Sequence, residues 1–522
     1  MLFAALVWGL NAVYHRQVLS KYLLSRTDRA LGECRSGIDV LFLGDSHVQH
    51  GLNPLRIPRA FNFSSQGEHY ILNYYKLRWA LSDGGMAPRA IVLPVDLHSF
   101  ATGTLENHYF RDPWYWMQYV DYIEAARAVG DPSVAGRMVS AVFPFLGSGV
   151  DFFRPIDSDE LTPIVRGFVQ NRSDFSRKPG REAVARERAV RQLSQTALFD
   201  PHLVAYFKKI LALAADRGVT VVLVRMPVTR SYFDVARRFI PGVDAFYAAV
   251  DAMLAPYGNV VVFDYQDRFF GQDDLFWDSD HVNVAGAEYL TLTLWRDCLA
   301  HPAVPLLDDD RARAAAAVSR RLAAIEDRRR HAREAGKILD MHRAGRKAAA
   351  LQMAEAAFRE GNHDGDLLVL LLGAVAEKGD ASLRGALAEA LRTSPIPEKR
   401  EFDGGWLTAL GITGDNWTTD GRPVYLAVSP PEGRPGRHAL WLSCNAPAEV
   451  LPLTATIDVG IRTVRHTFRA PDRVRIPLPE VPPGAPRLIV VKSDKTWVPE
   501  GGMDTRRLGV RIEPAEPDGD AS

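Results

Sequence analysis

Two short segments, far apart in the chain, hold the residues best suited to chemistry. The first is Gly-Asp-Ser-His at 44–47, and the second holds Asp278 and His281, three residues apart. A serine hydroxyl is a weak nucleophile until a base accepts its proton, and the imidazole of His281 can be that base for Ser46. An Asp-x-x-His turn can present Asp278 to the same ring, which fixes its tautomer and stabilises its protonated form. These residue types predict acyl chemistry through a serine nucleophile.

Four apolar runs are the elements that must position these segments. They read IDVLFLGDS, RAIVLPVD, VTVVLVRMP and NVVVFDY, and stretches with helical spacing, such as 70–81 and 201–217, separate them. Buried strands that alternate with helices predict an α/β fold with a doubly wound parallel sheet. Because such sheets bind ligands beyond the carboxyl ends of their strands, we expect Ser46 and His281 to meet at one edge of the sheet.

The composition excludes several classes of protein. The chain has 522 residues, 47% hydrophobic and 24% charged, as in ordinary globular domains and unlike disordered, collagen-like or polytopic membrane proteins. Lys+Arg and Asp+Glu both number 63, so no basic excess indicates nucleic-acid binding, and we expect no nucleic-acid partner. The three cysteines, Cys34, Cys298 and Cys444, give neither a disulfide framework nor a C-x-x-C zinc pattern.

Shifts in composition divide the chain into five parts. Residues 1–30 are an apolar N-terminal segment, and residues 31–305 carry the α/β pattern. Residues 306–398 are rich in Ala, Leu and Arg and predict a helical region. Residues 399–516 hold short β runs between Pro and Gly clusters, which predict a β-sandwich. Residues 517–522 are polar and predict a disordered tail.

The α/β part carries a long helical insertion at about 100–200. The insertion is aromatic between Tyr109 and Tyr122 and charged at 171–191. Long insertions near strand ends often form lids or binding walls, and the aromatic stretch is the candidate lid. A plain helical subdomain packed on the sheet is the alternative.

The N-terminal segment predicts a membrane anchor. Residues 1–13 carry no charged side chain, and as a helix they would reach about 20 Å, against the roughly 30 Å of a hydrocarbon core. A buried or amphipathic helix is the alternative. Positive charge follows at Arg16, Lys21 and Arg26, which by the positive-inside rule would keep the body on the cytoplasmic side.

The two chemical segments resemble conserved blocks of the SGNH (GDSL) hydrolase superfamily. The first block of that family is Gly-Asp-Ser, here 44–46, and the last is Asp-x-x-His, here 278–281. The second block supplies a glycine to the oxyanion hole, and Asn-Phe-Ser-Ser-Gln-Gly at 62–67 corresponds to it.

The resemblance covers residues 36–304 and implies both a fold and a site. The fold is the SGNH hydrolase fold, a flavodoxin-like three-layer arrangement around a parallel sheet. The catalytic residues implied are Ser46, Asp278 and His281. The backbone N–H groups of Ser46 and Gly67 would hold the developing oxyanion, each donor contributing roughly 3 kcal/mol.

The third block of the family has no counterpart in this chain. The family carries Gly-x-Asn-Asp there, whose Asn is a further oxyanion donor, whereas the corresponding run ends in Pro-Val-Asp-Leu-His at 94–98. Arg225 is a candidate source of positive charge near the site, with an ordinary ion-paired arginine as the alternative. Asp45 and His47, or His98, are further auxiliary candidates.

This departure resembles one branch of the superfamily, the SGNH-like acyltransferases of the cell envelope. The branch includes the alginate O-acetyltransferases and the protein that completes D-alanyl transfer to teichoic acid. It implies O-acetyl transfer to a polysaccharide or other glycan, an acyl donor passed from a membrane-bound O-acyltransferase, and a place on the envelope or periplasmic side of a membrane. It implies no cofactor and no metal. Hydrolysis of the acyl-enzyme by water stays open, as does the cytoplasmic side.

The C-terminal part has a second resemblance. The segments at 495–499 and 504–510 are similar to the end of a β-sandwich appended to bacterial glycosyltransferases, which implies a glycan setting. Two other functions stay open. One is a catalytically weak scaffold that docks onto a glycan-modifying complex, supported by the missing Asn. The other is a metal-dependent phosphoesterase that uses the Asp and His residues of the two chemical segments.

Overall fold

The chain forms two compact units, Met1–Ala323 and Ala324–Ser522, in a computed structural model. The division falls inside a helix rather than at the predicted boundary between residues 305 and 306. Of the sequence-based predictions, those on Tyr109 and on the tail 517–522 lie outside the described residues. The residues that the structure describes are 2–104, 112–131, 133–147, 163–193, 197–240, 242–305, 311–378, 381–394, 396, 399–402, 407–413, 415–419, 422–429, 438–460, 462–478, 486–499 and 506–515.

The first unit is built on a five-stranded parallel sheet with the order β2-β1-β3-β6-β7. A separate two-stranded hairpin, β4-β5, lies within the insertion. Counted alone, the five parallel strands follow the order 2-1-3-4-5, which is that of flavodoxin-like doubly wound sheets. The strands are β1 Val40–Phe42, β2 Ala60–Asn62, β3 Ala90–Pro94, β4 Ile164–Val165, β5 Phe168–Val169, β6 Thr220–Arg225 and β7 Val260–Asp264.

Sixteen α-helices are present among the described residues, and twelve of them begin in the first unit before residue 300. Helix α13 crosses the division between the units. The helices are α1 Leu2–Gln17, α2 Leu23–Cys34, α3 Ser46–Gly51, α4 Tyr70–Leu81, α5 Pro113–Trp116, α6 Tyr122–Val129, α7 Val134–Val142, α8 Arg181–Leu193, α9 Pro201–Asp216, α10 Arg230–Ala236, α11 Val243–Leu254, α12 Val284–Ala300, α13 Arg311–Arg343, α14 Lys347–Arg359, α15 Gly365–Lys378 and α16 Ala381–Thr393.

Helices cover both faces of the parallel sheet. On one face Leu41, Leu93 and Leu223 join a single apolar core with residues of α4, α9 and α11. Side chains alternate along a strand, so Phe263 of β7 points to the opposite face. There its ring lies edge to face with that of His301, the C-cap of α12, at 6.0 Å between centroids. Residues buried on both faces explain why the strands read as continuous apolar runs.

The sequence predicted four of the five parallel strands but missed β2. The three residues of β2, Ala60–Asn62, end in a polar asparagine and belong to no longer apolar run, although they are fully buried beside the equally short β1. This strand holds the start of the second block, so it brings residues 62–67 alongside the serine segment. The α/β architecture with a parallel sheet is therefore confirmed, with one more strand than the apolar runs indicated.

Asn62 ties helix α3 to the sheet. Its side-chain N–H groups donate to the carbonyl oxygens of Val48 at 2.8 Å and Leu52 at 2.9 Å. Its side-chain oxygen accepts from the N–H of Ser64 at 3.2 Å. All three bonds are buried, so the end of β2 fixes the position of the short helix that begins at Ser46.

The second unit contains two antiparallel sheets with the orders β10-β17-β12-β15 and β14-β13-β16-β11-β9-β8. The predicted β runs of residues 438–515 all form strands, and five further strands were missed. The strands are β8 Lys399–Glu401, β9 Leu407–Leu410, β10 Trp417–Thr419, β11 Val424–Val428, β12 Ala439–Cys444, β13 Leu453–Asp458, β14 Thr463–Phe468, β15 Asp472–Pro477, β16 Arg487–Ser493 and β17 Leu508–Ala515.

The two antiparallel sheets share one apolar core, as the sequence predicted for a β-sandwich. Leu442 of the smaller sheet and Ile489 of the larger sheet belong to the same cluster. On its other side the larger sheet packs against helices, because Val490 shares a second core with Leu371 of α15 and Leu387 of α16. The helical region and the sandwich are therefore one compact unit rather than two domains.

None of the described helices could cross a membrane, because none is both long enough and apolar enough.

Asn62→Ala is expected to lower the free energy of unfolding by about 2–3 kcal/mol, because two buried carbonyl oxygens lose their donor. Urea denaturation of the full chain measures this change. The matched control is Asn259→Ala, which removes one bond, to the carbonyl of Val219, from a half-buried side chain. Its cost should be about 1 kcal/mol. Equal losses in the two variants would contradict the role given to Asn62.

Candidate active site

The backbone after strand β1 presents Ser46 at the carboxyl end of the sheet. Gly44 has a φ of 141°, and a Cβ there would lie 2.6 Å from the ring of Pro94, so the turn requires glycine. Asp45 is the N-cap of α3, and its carboxylate accepts the N–H of His47 at 2.9 Å. Ser46 is the first helical residue, and it lines a cavity.

Ser46, His281 and Asp278 lie in one chain of hydrogen bonds. The Oγ atom of Ser46 is 2.8 Å from Nε2 of His281. The other ring nitrogen, Nδ1, is 2.9 Å from both carboxylate oxygens of Asp278. The same carboxylate accepts the backbone N–H of His281 at 2.8 Å. An ionised Asp278 accepts the Nδ1 proton, so Nε2 is left free to accept the serine proton.

Three residues around the Asp-x-x-His turn hold it in place. Asn283 caps helix α12 by accepting the N–H groups of Ala285 and Gly286 at 3.0 Å. A Cβ at Gly286 would lie 2.2 Å from the carbonyl oxygen of Leu275, so only glycine fits there. Thr229 donates its hydroxyl to the carbonyl of Ser279 at 2.7 Å. The local structure therefore explains why Asn283 and Gly286 follow the histidine.

The predicted oxyanion residues open onto the same cavity. Ser46 and Gly67 both line a cavity of about 470 Å³, and Gly67 has a φ of 78°, which favours glycine. Side-chain donors also line it, and they belong to Gln66, Arg188, Arg191 and Gln192. The last three lie on α8, in the charged part of the insertion, so this helix forms a wall of the cavity.

A second set of hydrogen bonds runs behind the first and joins its two halves. The ring of His47 contacts Asp45 through Nδ1, at 3.2 and 3.3 Å, and Asp280 through Nε2 at 3.3 Å. His98, after strand β3, reaches the same Asp45 carboxylate through Nε2 at 3.0 Å. The His47 ring also stacks on that of His281, with centroids 4.2 Å apart and planes 15° apart.

Asp280 is a central residue of the site that sequence reasoning missed. Its side chain is completely buried and accepts from Nε of Arg188 at 3.0 Å and Nε2 of Gln192 at 2.9 Å. Gln192 in turn accepts the hydroxyl of Tyr232. The repeat Asp-Ser-Asp-His was visible in the sequence, but nothing there showed that the second aspartate faces α8.

The electrostatics of the site follow from these pairs. Burial raises the pKa of Asp45, but His47 and His98 hold that pKa well below its ordinary value. Burial lowers the pKa of His47, yet Asp45 and Asp280 raise it well above the usual range. For His281, burial and then His47 lower the pKa, while Asp280 and Asp278 raise it, and the net shift is upward. The site therefore alternates negative and positive groups.

Arg225 is not part of this cavity, which corrects the expectation that it supplies charge there. Its guanidinium pairs with Asp264 at 2.7 Å and lies 3.5 Å from the ring centroid of Tyr247. It lines a separate cavity that Asp251 and Asp264 also line. Arg225 ends β6, which lies between the central strand β3 and the edge strand β7, and its side chain reaches β7 and α11. The alternative reading, an ion-paired arginine, is the correct one.

The aromatic stretch does not form a lid where it is described. Tyr115, Trp116 and Tyr119 are buried in the core of the first unit, packed around Phe63 and Trp79. Their large apolar rings are more stable inside than over a polar cavity. The candidate lid at these positions is therefore wrong, and the charged α8 borders the cavity instead.

The end of strand β3, where the family's third block would lie, does not present an amide. Asp96 accepts the backbone N–H of Met226 at 2.7 Å, and burial raises its pKa to about 6. His98 binds Asp45, as described. These two side chains support neighbouring backbone and carboxylate groups.

A buried ion pair lies directly below the second block. Glu68 and Lys76 both have fully buried side chains, and the Lys76 ammonium binds the Glu68 carboxylate and the carbonyl of Phe63, the latter at 2.7 Å. Burial raises the pKa of Glu68 to about 7, against the opposing effect of Lys76. The Ser65 hydroxyl also binds Glu68, so both residues that flank Gln66 and Gly67 are anchored. Sequence reasoning missed this pair.

Two groups of three side chains bring possible metal-binding atoms within 4.8 Å of one another. They are Asp45 with His47 and His98, and His47 with Asp280 and His281. Both contain His47, whose two ring nitrogens are already bonded to carboxylates. Hydrogen bonding therefore explains both groups without a cation.

Comparison of the sequence with protein-family models gives no match, and comparison with curated proteins gives none.

Lys76→Met is expected to lower the free energy of unfolding by about 3–5 kcal/mol at pH 7, because it leaves a buried carboxylate unpaired. The double variant Glu68→Gln with Lys76→Met should recover most of that loss. The folded-state pKa of Glu68 lies above its unfolded value, so the folded state takes up the proton first. With Lys76 present that pKa is about 7, and without Lys76 burial raises it further, so the two folded states differ in protonation only above about pH 7. The deficit of Lys76→Met should accordingly be constant from pH 5 to about pH 7 and grow at higher pH.

Urea denaturation at pH 5 and pH 8 measures both effects. A deficit that is the same at both pH values, or a double variant no more stable than Lys76→Met, would contradict a buried ion pair below the second block.

Proposed function

We propose that the chain is an SGNH-type serine acyltransferase or acylesterase that acts on a cell-envelope polysaccharide through an acyl-Ser46 intermediate. The observation that carries the proposal is the hydrogen-bonded series from Ser46 Oγ to His281 and Asp278 at the edge of a cavity. The flavodoxin-like strand order and the position of Ser46 after β1 support the SGNH assignment. O-acetyl transfer is the reaction we favour.

In the first half-reaction Ser46 Oγ attacks the carbonyl carbon of the acyl donor. His281 Nε2 accepts the hydroxyl proton as the new C–O bond forms, and Asp278 stabilises the resulting imidazolium. The N–H groups of Ser46 and Gly67 are the proposed donors to the oxyanion. When the tetrahedral intermediate collapses, the bond to the leaving group breaks, and the leaving group takes the proton from His281.

In the second half-reaction a hydroxyl of the acceptor takes the place of the leaving group. His281 removes its proton, the acceptor oxygen attacks the acyl carbon, and the proton returns to Ser46 Oγ as the serine ester bond breaks. A sugar hydroxyl gives transfer and water gives hydrolysis. The donors of α8 and Gln66 make the cavity wall polar, which suits an acceptor rich in hydroxyl groups.

We also propose that helix α1 rests on a membrane surface. Its buried side, with Asn11 and Tyr14, packs against the first unit, where Asn11 donates to the carbonyl of Val142 at 3.0 Å. Its outer side is apolar, with Trp8 59% and Val13 49% exposed. Outward helix faces in water are normally polar, and the helix has no acidic residue in its first turn and basic residues in its last. An anionic lipid surface fits this combination.

The serine chemistry is tested with a fluorophosphonate probe, which forms a covalent adduct with an activated serine. Wild-type chain should carry one adduct on Ser46, located by mass spectrometry. Ser46→Ala should abolish it, and His281→Gln should slow labelling by about 10²–10⁴-fold because the hydroxyl loses its base. The matched control Ser231→Ala should label at the wild-type rate. Addition of oligosaccharides to a p-nitrophenyl acetate assay then separates transfer to sugar from hydrolysis.

A wild-type chain that carries no adduct, with its fold intact by circular dichroism, would contradict the proposal and favour the scaffold. Ester cleavage that survives in Ser46→Ala but is lost with a chelator would favour the metal-dependent phosphoesterase instead.

The membrane contact is tested by flotation with vesicles. The full chain should float with phosphatidylcholine–phosphatidylglycerol vesicles and float less with phosphatidylcholine alone. Trp8→Asp should stay at the bottom of the gradient, because a charge is placed in the acyl boundary. Val369→Asp, an equivalent change at an exposed position of α15, should float like wild type. Two results would contradict contact between helix α1 and lipid. One is wild type that does not float, and the other is a protein oligomer that forms in wild type and is lost in Trp8→Asp.

A further inference from the structure

His47 follows the proposed nucleophile in the chain and lines the same cavity, but its ring is almost wholly buried. The His47 side chain is 3% exposed and lies between two carboxylates, Asp45 on Nδ1 and Asp280 on Nε2. Its ring is stacked on that of His281 at 4.2 Å. The chemistry of the proposed site uses neither nitrogen of His47.

The bonding of His47 fixes its charge. An ionised carboxylate only accepts hydrogen bonds, so both ring nitrogens of His47 must carry protons to donate to Asp45 and Asp280. Asp280 is itself ionised: it pairs with the Arg188 guanidinium at 3.0 Å, and although burial raises its pKa, His281, His47 and Arg188 hold that pKa well below its ordinary value. An imidazole with two N–H groups is the imidazolium cation. A positive ring therefore lies in stacking contact with the ring of the proposed base.

We propose that His47 is a permanently protonated positioning residue, clamped by Asp45 and Asp280, that sets the pH at which His281 gains its proton. The inference rests on the proposed function for its importance in catalysis, but the titration of His281 can be observed without any reaction. His47 touches no reacting atom in this scheme and acts through the charge it places beside His281.

The other charged and titratable groups around His281 come from four elements. Asp278 and Asp280 lie in its own turn, at 2.9 and 3.5 Å from Nδ1. Arg188 of α8 approaches Nδ1 at 3.4 Å. His50, from α3, meets the ring edge to face at 6.1 Å, and its Nδ1–H donates to the carbonyl of Val169 at 3.1 Å. Asp45 and, after β3, Asp96 and His98 lie on the far side of His47.

The direction of the effect follows from these charges. Two carboxylates favour the protonated form of His281, and the His47 cation opposes it. Removal of His47 takes away the opposing charge and also leaves Asp280 with one partner fewer. Both changes favour protonated His281. The base would then be occupied by a proton at pH values where wild type is free to react.

The test is an NMR titration of histidine ring signals in the full chain, labelled with ¹³C at the Cε1 position of histidine. The His281 signal is assigned by its loss in His281→Gln. In His47→Gln its titration midpoint should rise by about 1 pH unit or more. The control is His50→Gln, which removes an imidazole next to His281 that binds no carboxylate, and it should shift the midpoint by less than about 0.3 pH unit.

A second variant separates charge from packing. Asp280→Asn removes a negative neighbour and should lower the His281 midpoint, and the double variant His47→Gln with Asp280→Asn should lie between the two single variants. A general loosening of the site would not move the midpoint in opposite directions. If His47→Gln fails to fold, the His47 ring signal of wild type decides the question, because it shows whether His47 is an imidazolium or a neutral imidazole at pH 7.

An unchanged or lowered midpoint in His47→Gln, or a His47 signal typical of neutral imidazole at pH 7, would overturn the inference. These outcomes are independent of the proposed function. A chain without an acyl-serine reaction could still show the shifted titration. A chain with full serine reactivity and no shift would keep the proposed function and lose the role of His47.

Discussion

The carboxylate of Asp45 is the group on which the geometry of the site depends. It caps the helix that begins at Ser46, binds the ring of His47 and accepts from His98 beyond the next strand. A carboxylate buried in this way is stable only if its oxygens are well supplied with donors. Those donors come from two strand ends, so satisfying one charge aligns the segment of Ser46 with the centre of the sheet. Asp280 does the same for the segment of His281, which it joins to α8.

The parts of this arrangement that sequence could predict are the local ones. Ser46, Asp278 and His281 are recognisable because strand ends and short turns fix their neighbours within a few residues. Arg188 and Gln192 meet Asp280 across about ninety residues of chain, and no periodicity encodes such a contact. In the sequence, the helix that contains them, α8, was recognisable only as a charged stretch. Its role as a wall of the cavity is a property of the tertiary fold.

The two errors of prediction have a common physical origin. Arg225 and the aromatic stretch around Tyr115 were assigned to the site from residue type, and each found a more stable partner elsewhere. The guanidinium of Arg225 pairs with Asp264, on the neighbouring strand and in register with it. The rings of Tyr115 and Trp116 pack beside the buried Lys76 ammonium. Strand β2 was missed for a different reason, because its three residues end in Asn62 and lie in no longer apolar run, whereas the equally short β1 lies within one.

If Ser46 reacts as proposed, the charges around it would let its proton move at small cost. The carboxylates of Asp45 and Asp280 bind His47, and Asp280 also binds Arg188. In the proposed reaction, the proton that His281 accepts from Ser46 places a positive charge next to Asp278 and Asp280. Because the opposing charges are already fixed in a buried network, little reorganisation accompanies the transfer. A permanent cation in place of His281 would leave the site without a base. Loss of the His47 charge would make His281 bind its proton too tightly to pass it on.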